Sequence, residues 1–242
     1  MIKILKLSKD FGEKKILDRI SLDIPEGQKL AVIGPSGCGK STLLRLLIGI
    51  DRPTSGLITI DDVDIGLLDQ DDLMSVRKKI GMVFQSSALF DSMTVFENVA
   101  FGLRQRYEFS EEQIKQKVAE KLKMVDLQGT EDYMPSELSG GMQKRISLAR
   151  AIAGDPKIML YDEPTTGLDP ITSTNIEDLI NKLNKEMNVT SIVVTHQLST
   201  IFRTSDRIVM LHEGRIIESG NVEETKRSGD PIVSNFIKGG LP

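Results

Sequence analysis

Gly34-Pro35-Ser36-Gly37-Cys38-Gly39-Lys40-Ser41 puts glycines, a lysine and a hydroxyl into one short run, and that combination binds phosphate. The apolar segment Lys29-Leu30-Ala31-Val32-Ile33 reads as a strand entering it, and Thr42-Leu43-Leu44-Arg45-Leu46-Leu47 as a helix leaving it. Between strand and helix, such glycines turn backbone N–H groups onto an anion at the helix N-terminus. Lys40 would reach the β- and γ-phosphates of a nucleotide, and Ser41 would offer its hydroxyl to Mg²⁺. The run from Gly34 to Thr42 is therefore the expected nucleotide cradle. Cys38, the single cysteine, sits in it as a small residue whose thiol would lie against phosphate and excludes an internal disulfide.

Ile158-Met159-Leu160-Tyr161-Asp162-Glu163 is an apolar strand that delivers two adjacent carboxylates to its C-terminal end. Side chains alternate faces on a strand, so the two can do different work. Asp162 is placed to hold Mg²⁺ through water, as in other P-loop NTPases. Glu163 is the candidate to orient and polarise an attacking water.

Leu138-Ser139-Gly140-Gly141-Met142 opens a second helix, with Met142, Ile146, Ala149 and Ala153 at helical spacing. It is another helix N-terminus suited to an anion, yet one nucleotide needs one cradle. A second makes sense where it completes the site of a partner copy. The residues here resemble the ATP-binding cassette family, whose nucleotide-binding domains form head-to-tail dimers with two ATP molecules between cradle and signature. The resemblance spans nearly the whole chain. It implies ATP and Mg²⁺ as cofactors, Ser139, Gly140 and Gly141 as contacts to the partner's nucleotide, and Gln85 as a glutamine that contacts Mg²⁺ and water and senses a transmembrane partner. It further implies that Thr166-Gly167-Leu168-Asp169 crosses the dimer interface, that His196 contacts the γ-phosphate, and that Phe11 stacks on adenine. A phenylalanine in an N-terminal hairpin could equally be packing. His212, beside Glu213-Gly214, keeps a structural reading. Met142 departs from the glutamine common in the family, which puts the usual contact from the signature to ribose in doubt.

These motifs need a scaffold, and the apolar pattern supplies one. Ile2 and Ile4, Leu22 and Ile24, and Ile58 and Ile60 are at strand spacing, so residues 1–85 read as alternating short strands and turns, with Gln85 ending the strand Ile80-Gly81-Met82-Val83-Phe84. From Ser86 to Asp155 the pattern turns helical. Ser110-Glu111-Glu112-Gln113 is a capping box starting a helix with Ile114, Val118, Leu122 and Val125 on one face. Strands and helices alternate again from Pro156, including a helix over 171–187. The expected fold is thus α/β: a P-loop NTPase core with an antiparallel β subdomain and an inserted helical signature subdomain. The expected division is one nucleotide-binding domain over 1–242, with 1–85 and 156–220 as core, 86–155 as the helical subdomain and 221–242 as a tail. In the tail, Asp230-Pro231 starts a short helix with Ile232, Val233, Phe236 and Ile237 on one face, closed by Gly239-Gly240; packing on its own domain is favoured over docking on the other subunit.

At 242 residues the chain can bury about 70% of its unfolded surface as one domain. A formal net charge of −4 argues against a nucleic-acid partner. No apolar run approaches the roughly 18–20 residues that span a bilayer, and the N-terminus lacks a signal-peptide pattern. A place on the cytoplasmic face of the inner membrane, reached through a permease, follows from the resemblance.

Three strings narrow the resemblance: Gln85-Ser86-Ser87-Ala88-Leu89-Phe90, Met134-Pro135-Ser136-Glu137-Leu138-Ser139-Gly140-Gly141-Met142 and Gly167-Leu168-Asp169-Pro170-Ile171-Thr172 look like the ATPase of Mla-type phospholipid transporters. That implies transmembrane permease subunits, an MCE-type lipid-binding protein and room for a small regulatory subunit as partners. Two alternatives stay open: the ATPase of an amino-acid-type or other polar-solute importer, and a non-transport cassette ATPase of the cell-division type.

Overall fold

The computed structural model describes residues 1–106 and 108–239. The chain runs β1 (Ile2–Phe11), β2 (Lys14–Ile24), β3 (Lys29–Ile33), α1 (Lys40–Leu47), β4 (Ser55–Ile60), β5 (Val63–Asp64), α2 (Gln70–Arg77) and β6 (Ile80–Val83). Three helices follow, α3 (Val95–Arg104), α4 (Glu111–Met124) and α5 (Gly140–Ile152). It then continues through β7 (Ile158–Asp162), α6 (Pro170–Met187), β8 (Thr190–Val194), α7 (Leu198–Thr204), β9 (Arg207–His212), β10 (Arg215–Gly220), α8 (Val222–Lys226) and α9 (Pro231–Ile237).

The isoleucine and leucine pairs expected at strand spacing lie directly opposite one another. Ile2 faces Ile24 and Ile4 faces Leu22 across the β1–β2 pair, while Ile60 and Ile58 take the other flank of β1. Aligning the apolar face in this way sets the register, because a one-residue slip would turn every one of these side chains to solvent. The strands form an antiparallel sheet in the order β2-β1-β4-β5. A second sheet has the order β10-β9-β3-β8-β7-β6, parallel from β9 to β6 with β10 added antiparallel at the edge. Its central strands are apolar on both faces, as a sheet covered on two sides must be. This is the α/β, P-loop NTPase architecture expected from the motifs.

One apolar core joins the antiparallel sheet to α1 and one face of the second sheet, and another joins the opposite face to α3, α4, α5 and α6. The helices α3–α5 interrupt the sheet between β6 and β7, which are hydrogen-bonded neighbours. The capping box at Ser110 and Gln113 is formed, and Ile114, Val118, Leu122 and Val125 are buried.

Two local expectations change. Residues 1–85 hold a second helix, α2, where only strands and turns had been expected after α1; its N-cap Asp69 accepts from the Asp72 N–H at 2.9 Å, so an acidic stretch that reads as a turn is a helix start. The strand before Gln85 ends at Val83, which leaves Phe84 and Gln85 in the following loop. In the tail, Asp230 caps α9, and Val233 and Phe236 pack against Ile33, Ile201 and Met210 of the same chain. Gly239 closes the helix with a left-handed φ of 75°; Gly240 lies outside the described residues.

Candidate functional site

A cleft of about 320 Å³ opens where β3 runs into α1. Ser36, Gly37, Gly39, Lys40, Ser41 and Thr42 form its floor, Phe11 and Ile16 one wall, and Gln85, Glu163 and His196 the other. The N-terminus of α1 has no side-chain cap, whereas Thr94, Ser110, Ser139 and Asp169 each cap their own helices. Its leading N–H groups are left for a ligand, and at a helix N-terminus an anion is the favoured one. Lys40, 7% exposed, donates to the carbonyl oxygens of Gly34 at 2.8 Å and Pro35 at 2.9 Å. A phosphate oxygen is a stronger acceptor than these neutral carbonyls and would draw the ammonium into the cleft. Gly34 is required by space: a Cβ there would come within 2.2 Å of the Leu211 carbonyl oxygen. Cys38 gives the cradle its backbone, while its thiol packs against the apolar core and burial pushes it above the ordinary thiol range, with the Lys40 charge opposing. Phe11 is half exposed, and its ring carries the Lys9 ammonium 4.7 Å from its centroid.

At the end of β7 the two carboxylates separate, but not by strand alternation: Asp162 is the last residue of the strand and Glu163 turns off it. Asp162 accepts from the Ser41 hydroxyl at 3.2 Å. Burial raises its pKa, as does the neighbouring Glu163 charge, while the Ser41 hydrogen bond pulls it back. Glu163 adopts a left-handed φ of 48°, pinned by its N–H on the Val194 carbonyl at 2.8 Å. Such a backbone costs of order 1 kcal/mol for a side chain other than glycine. The turn buries Glu163 against three partners: Oε2 accepts from Thr195 at 2.9 Å and Thr166 at 3.0 Å, and Oε1 lies 2.8 Å from His196 Nδ1. β8 supplies Thr195 and His196 just past its end, so two parallel strands jointly hold one carboxylate at the cleft.

The donor set suits Mg²⁺. Ser41 Oγ and Asp162 Oδ1 converge at the cradle, with the Gln85 amide on the facing wall, and all are hard oxygen donors.

Ser139, Gly140, Gly141 and Asp169 lie away from this cleft. Ser139 caps α5, accepting from the Met142 N–H at 3.3 Å, and Asp169 caps α6, accepting from Ile171 and Thr172 at 3.0 Å. The two helix starts touch: a Cβ on Gly141 would meet Thr172 Cγ2 at 2.8 Å. His212 ends β9 at the hairpin turn formed by Glu213 and Gly214.

Sequence reading missed the tethers of the Gln85 loop. Lys144 of α5 donates to the carbonyls of Phe84 at 3.1 Å and Gln85 at 2.8 Å, and Arg150 to those of Ser87 at 2.8 Å and Ala88 at 2.6 Å. Burial pushes the Lys144 ammonium down to about 8, with the Asp162 charge resisting. Buried Asn98 of α3 closes the same loop onto the Phe90 N–H and carbonyl. The one signal was their position on the core-facing side of amphipathic helices, where a polar residue needs a partner.

Comparison with known proteins matches residues 17–166 to the family model described as ABC transporter. The chain is 45% identical to the Arabidopsis thaliana protein trigalactosyldiacylglycerol 3, chloroplastic, over 100% of this chain and 74% of that one. It is 42% identical to the intermembrane phospholipid transport system ATP-binding protein MlaF of Haemophilus influenzae, over 99% and 90%. It is also 42% identical to the methionine import ATP-binding protein MetN of Carboxydothermus hydrogenoformans, over 93% and 68%. Among solved structures, the dimeric post-hydrolysis state of the ATP-binding cassette MJ0796 bound to ADP and Pi superposes with a TM-score of 0.81 at 37% identity, over 90% of this chain and 98% of that one.

Proposed function

The chain belongs to the ABC transporter family as an ATP-hydrolysing, ATP-binding subunit, and from that premise we propose that it drives phospholipid transport across the cell envelope with an MCE-type system. The observation that carries the lipid reading is the whole-chain similarity to the phospholipid-system protein and to the chloroplast protein, against a shorter match to the methionine importer. On this reading the protein sits on the cytoplasmic face of the inner membrane through permease subunits; among the described residues no helix is long and apolar enough to cross a membrane.

The cleft supplies the steps. The N-terminus of α1 and Lys40 take up the phosphates of ATP, and Phe11 stacks on its base. Mg²⁺, held by Ser41, Asp162 and Gln85, would neutralise charge on the β- and γ-phosphates. Glu163 accepts a hydrogen bond from the attacking water and orients it, and His196, 2.8 Å from that carboxylate, faces the γ-phosphate. Ser139, Gly140, Gly141 and Asp169 serve the nucleotide of a second copy, which explains why helix starts so placed stand outside their own chain's cleft. ATP bound between the copies favours the closed homodimer, and hydrolysis reopens it. The loop after Gln85, flanked by exposed Phe84, Phe90 and Tyr133, passes the motion to the permease. We also propose the division into a core (1–85, 156–220), a helical subdomain (86–155) and a tail (221–242).

The test is purification of the complex from its native membrane and reconstitution in phospholipid vesicles. An MCE-type protein and bound phospholipid should co-purify, and lipid movement should stop with Glu163→Gln. Stimulation by a soluble solute receptor, with no lipid in the complex, would instead establish the polar-solute reading, which the methionine-importer similarity keeps open.

A further inference from the structure

Glu177 is a carboxylate only 1% exposed, on α6, outside the cleft and without a part in the mechanism above. Its Oε1 accepts from the Thr200 hydroxyl at 2.7 Å, and its Oε2 lies 2.9 Å from Arg203 Nε. That second contact is ionic, since Oε2 has no aligned hydrogen-bond donor. Thr200 Oγ1 in turn lies 2.7 Å from Thr165 Oγ1, which lies 2.6 Å from Gln197 Oε1. Glu177, Thr200 and Thr165 are all buried, so no water intervenes to exchange these bonds.

The chain ends at the site. Thr165 is two residues beyond Glu163, and Gln197 follows His196. The Gln197 N–H donates to Thr195 Oγ1 at 3.1 Å, and that hydroxyl donates to Glu163 Oε2 at 2.9 Å. Gln197 is thus fixed at both its backbone and its side chain, with His196 between Thr195 and itself.

Counting protons gives the chain a direction. Three contacts link Gln197, Thr165, Thr200 and Glu177, and the two hydroxyls bring two protons. With the guanidinium of Arg203 against it, the Glu177 end accepts. As placed, Gln197 Oε1 faces Thr165 and accepts from its hydroxyl, which leaves one of the three contacts without a proton. Exchanging oxygen and nitrogen of the side-chain amide, which share one outline, turns Nε2 onto Thr165 and supplies the third. The donors then run Gln197 to Thr165 to Thr200 to Glu177. A buried ion pair adds little net stability over apolar packing of the same volume, so what Glu177 supplies beyond bulk is this direction.

We propose that Glu177 is a positioning residue for ATP hydrolysis: its carboxylate polarises the Thr200–Thr165–Gln197 chain and so holds His196 and the Glu163 turn in their working geometry. The inference rests on the roles given to Glu163 and His196 above. Thr200→Val cuts the chain and keeps its shape, Thr200→Ser restores it, and Glu177→Met removes the charge at similar volume. Glu177→Gln can donate to Thr200 and let the chain run in reverse onto the Gln197 amide oxygen.

The experiment measures kcat, KM and TNP-ATP affinity on the full chain, below each variant's melting temperature, beside Glu163→Gln and His196→Ala. Thr200→Val and Glu177→Met should lose about tenfold in kcat, the scale of a small misplacement of reacting groups, with TNP-ATP affinity within about twofold of the parent. Thr200→Ser and Glu177→Gln should keep most of the parent kcat. Should Glu177→Met fail to fold, Thr200→Val decides. Parent kcat in Thr200→Val, equal losses in kcat and affinity, or no rescue by Thr200→Ser would each overturn the proposal. Turnover by Glu163→Gln at the parent rate would remove the reading of the site and this inference with it. An inactive Glu163→Gln beside a fully active Thr200→Val would remove the inference alone.

Discussion

Lys144 donates from α5 to the backbone carbonyl of Gln85 at 2.8 Å, so the helix that Ser139 caps also grips the glutamine at the opposite wall of the cleft. A rigid helix with Ser139 at its start and this tether in its second turn moves both together. In the proposed homodimer, the position of Gln85 in one copy would therefore be tied to what Ser139 of that same copy contacts in the other.

Lys144→Met should keep the packing and leave two part-buried carbonyls without this donor. Each such orphan costs about 1–3 kcal/mol, partly relieved here because the loop is exposed beyond Phe84. We expect a lower melting temperature of a few degrees, nearly normal nucleotide affinity and a several-fold loss of kcat, with Lys144→Arg recovering much of it. A variant with parent turnover and cooperativity in ATP would show that the tether does not carry Gln85.

Ser139→Arg places bulk at the helix start assigned to the partner's γ-phosphate. Ser139 lines no part of its own chain's cleft, so binding of ATP to the monomer should persist within about threefold while dimer closure and turnover are lost. Mixing it with Lys40→Ala, which lacks its own phosphate contact, should restore one composite site per heterodimer and a measurable fraction of turnover. Loss of monomer binding in Ser139→Arg, read by equilibrium dialysis with ATP, would break the assignment across the interface.

What the sequence made legible was local. The glycines, Lys40 and Ser41 announce a cradle because each is needed at a fixed offset, and the isoleucine and leucine pairs at 2 and 4, 22 and 24, 58 and 60 announce a register because only one alignment buries them together. What stayed hidden depends on distance along the chain or on backbone sign. Lys144 and Arg150 read as ordinary helix charges, and their partners lie about sixty residues earlier. The left-handed φ of Glu163 leaves no mark in composition, because the Val194 carbonyl and two threonine hydroxyls impose it from outside. Asp69 to Asp72 has the composition of a turn, and the apolar contacts of Leu73 and Val76 together with the Asp69 cap make α2 a helix.

Cys38 gives a chemical test of the cradle. Burial raises its thiol above the ordinary range, against the pull of the Lys40 charge, so the thiolate is scarce at neutral pH. Maleimide labelling should be slow at pH 7 and accelerate about tenfold per pH unit until the thiol titrates. MgATP should slow it further by occupying the loop, and Cys38→Ala should keep its ATPase activity. Fast labelling at pH 7 that ignores MgATP would place the thiol on an open surface.

Asp155 links the α5–β7 turn to α4, and its ionisation gives a stability test with a definite sign. It accepts from Lys117 at 2.7 Å and from Lys121 at 2.6 Å, and the Lys121 side chain is only 4% exposed. Burial would raise the Asp155 pKa, but Lys117 and Lys121 together hold it below the ordinary carboxylate value. A depressed folded pKa means stability that is fully present above the unfolded carboxylate range and is lost as pH falls through the folded value. Asp155→Asn leaves buried Lys121 with Glu120 as its remaining ion-pair partner, at 2.9 Å. The cost at pH 7 should be about 1–2 kcal/mol, less than for a fully buried pair because Asp155 is half exposed. In urea titrations the gap between Asp155→Asn and the parent should be widest near neutrality and close as pH drops below the ordinary carboxylate range, where the parent is protonated too. A gap that stays constant from pH 7 to pH 3 would mean that packing, not the charge on Asp155, ties α4 to the turn.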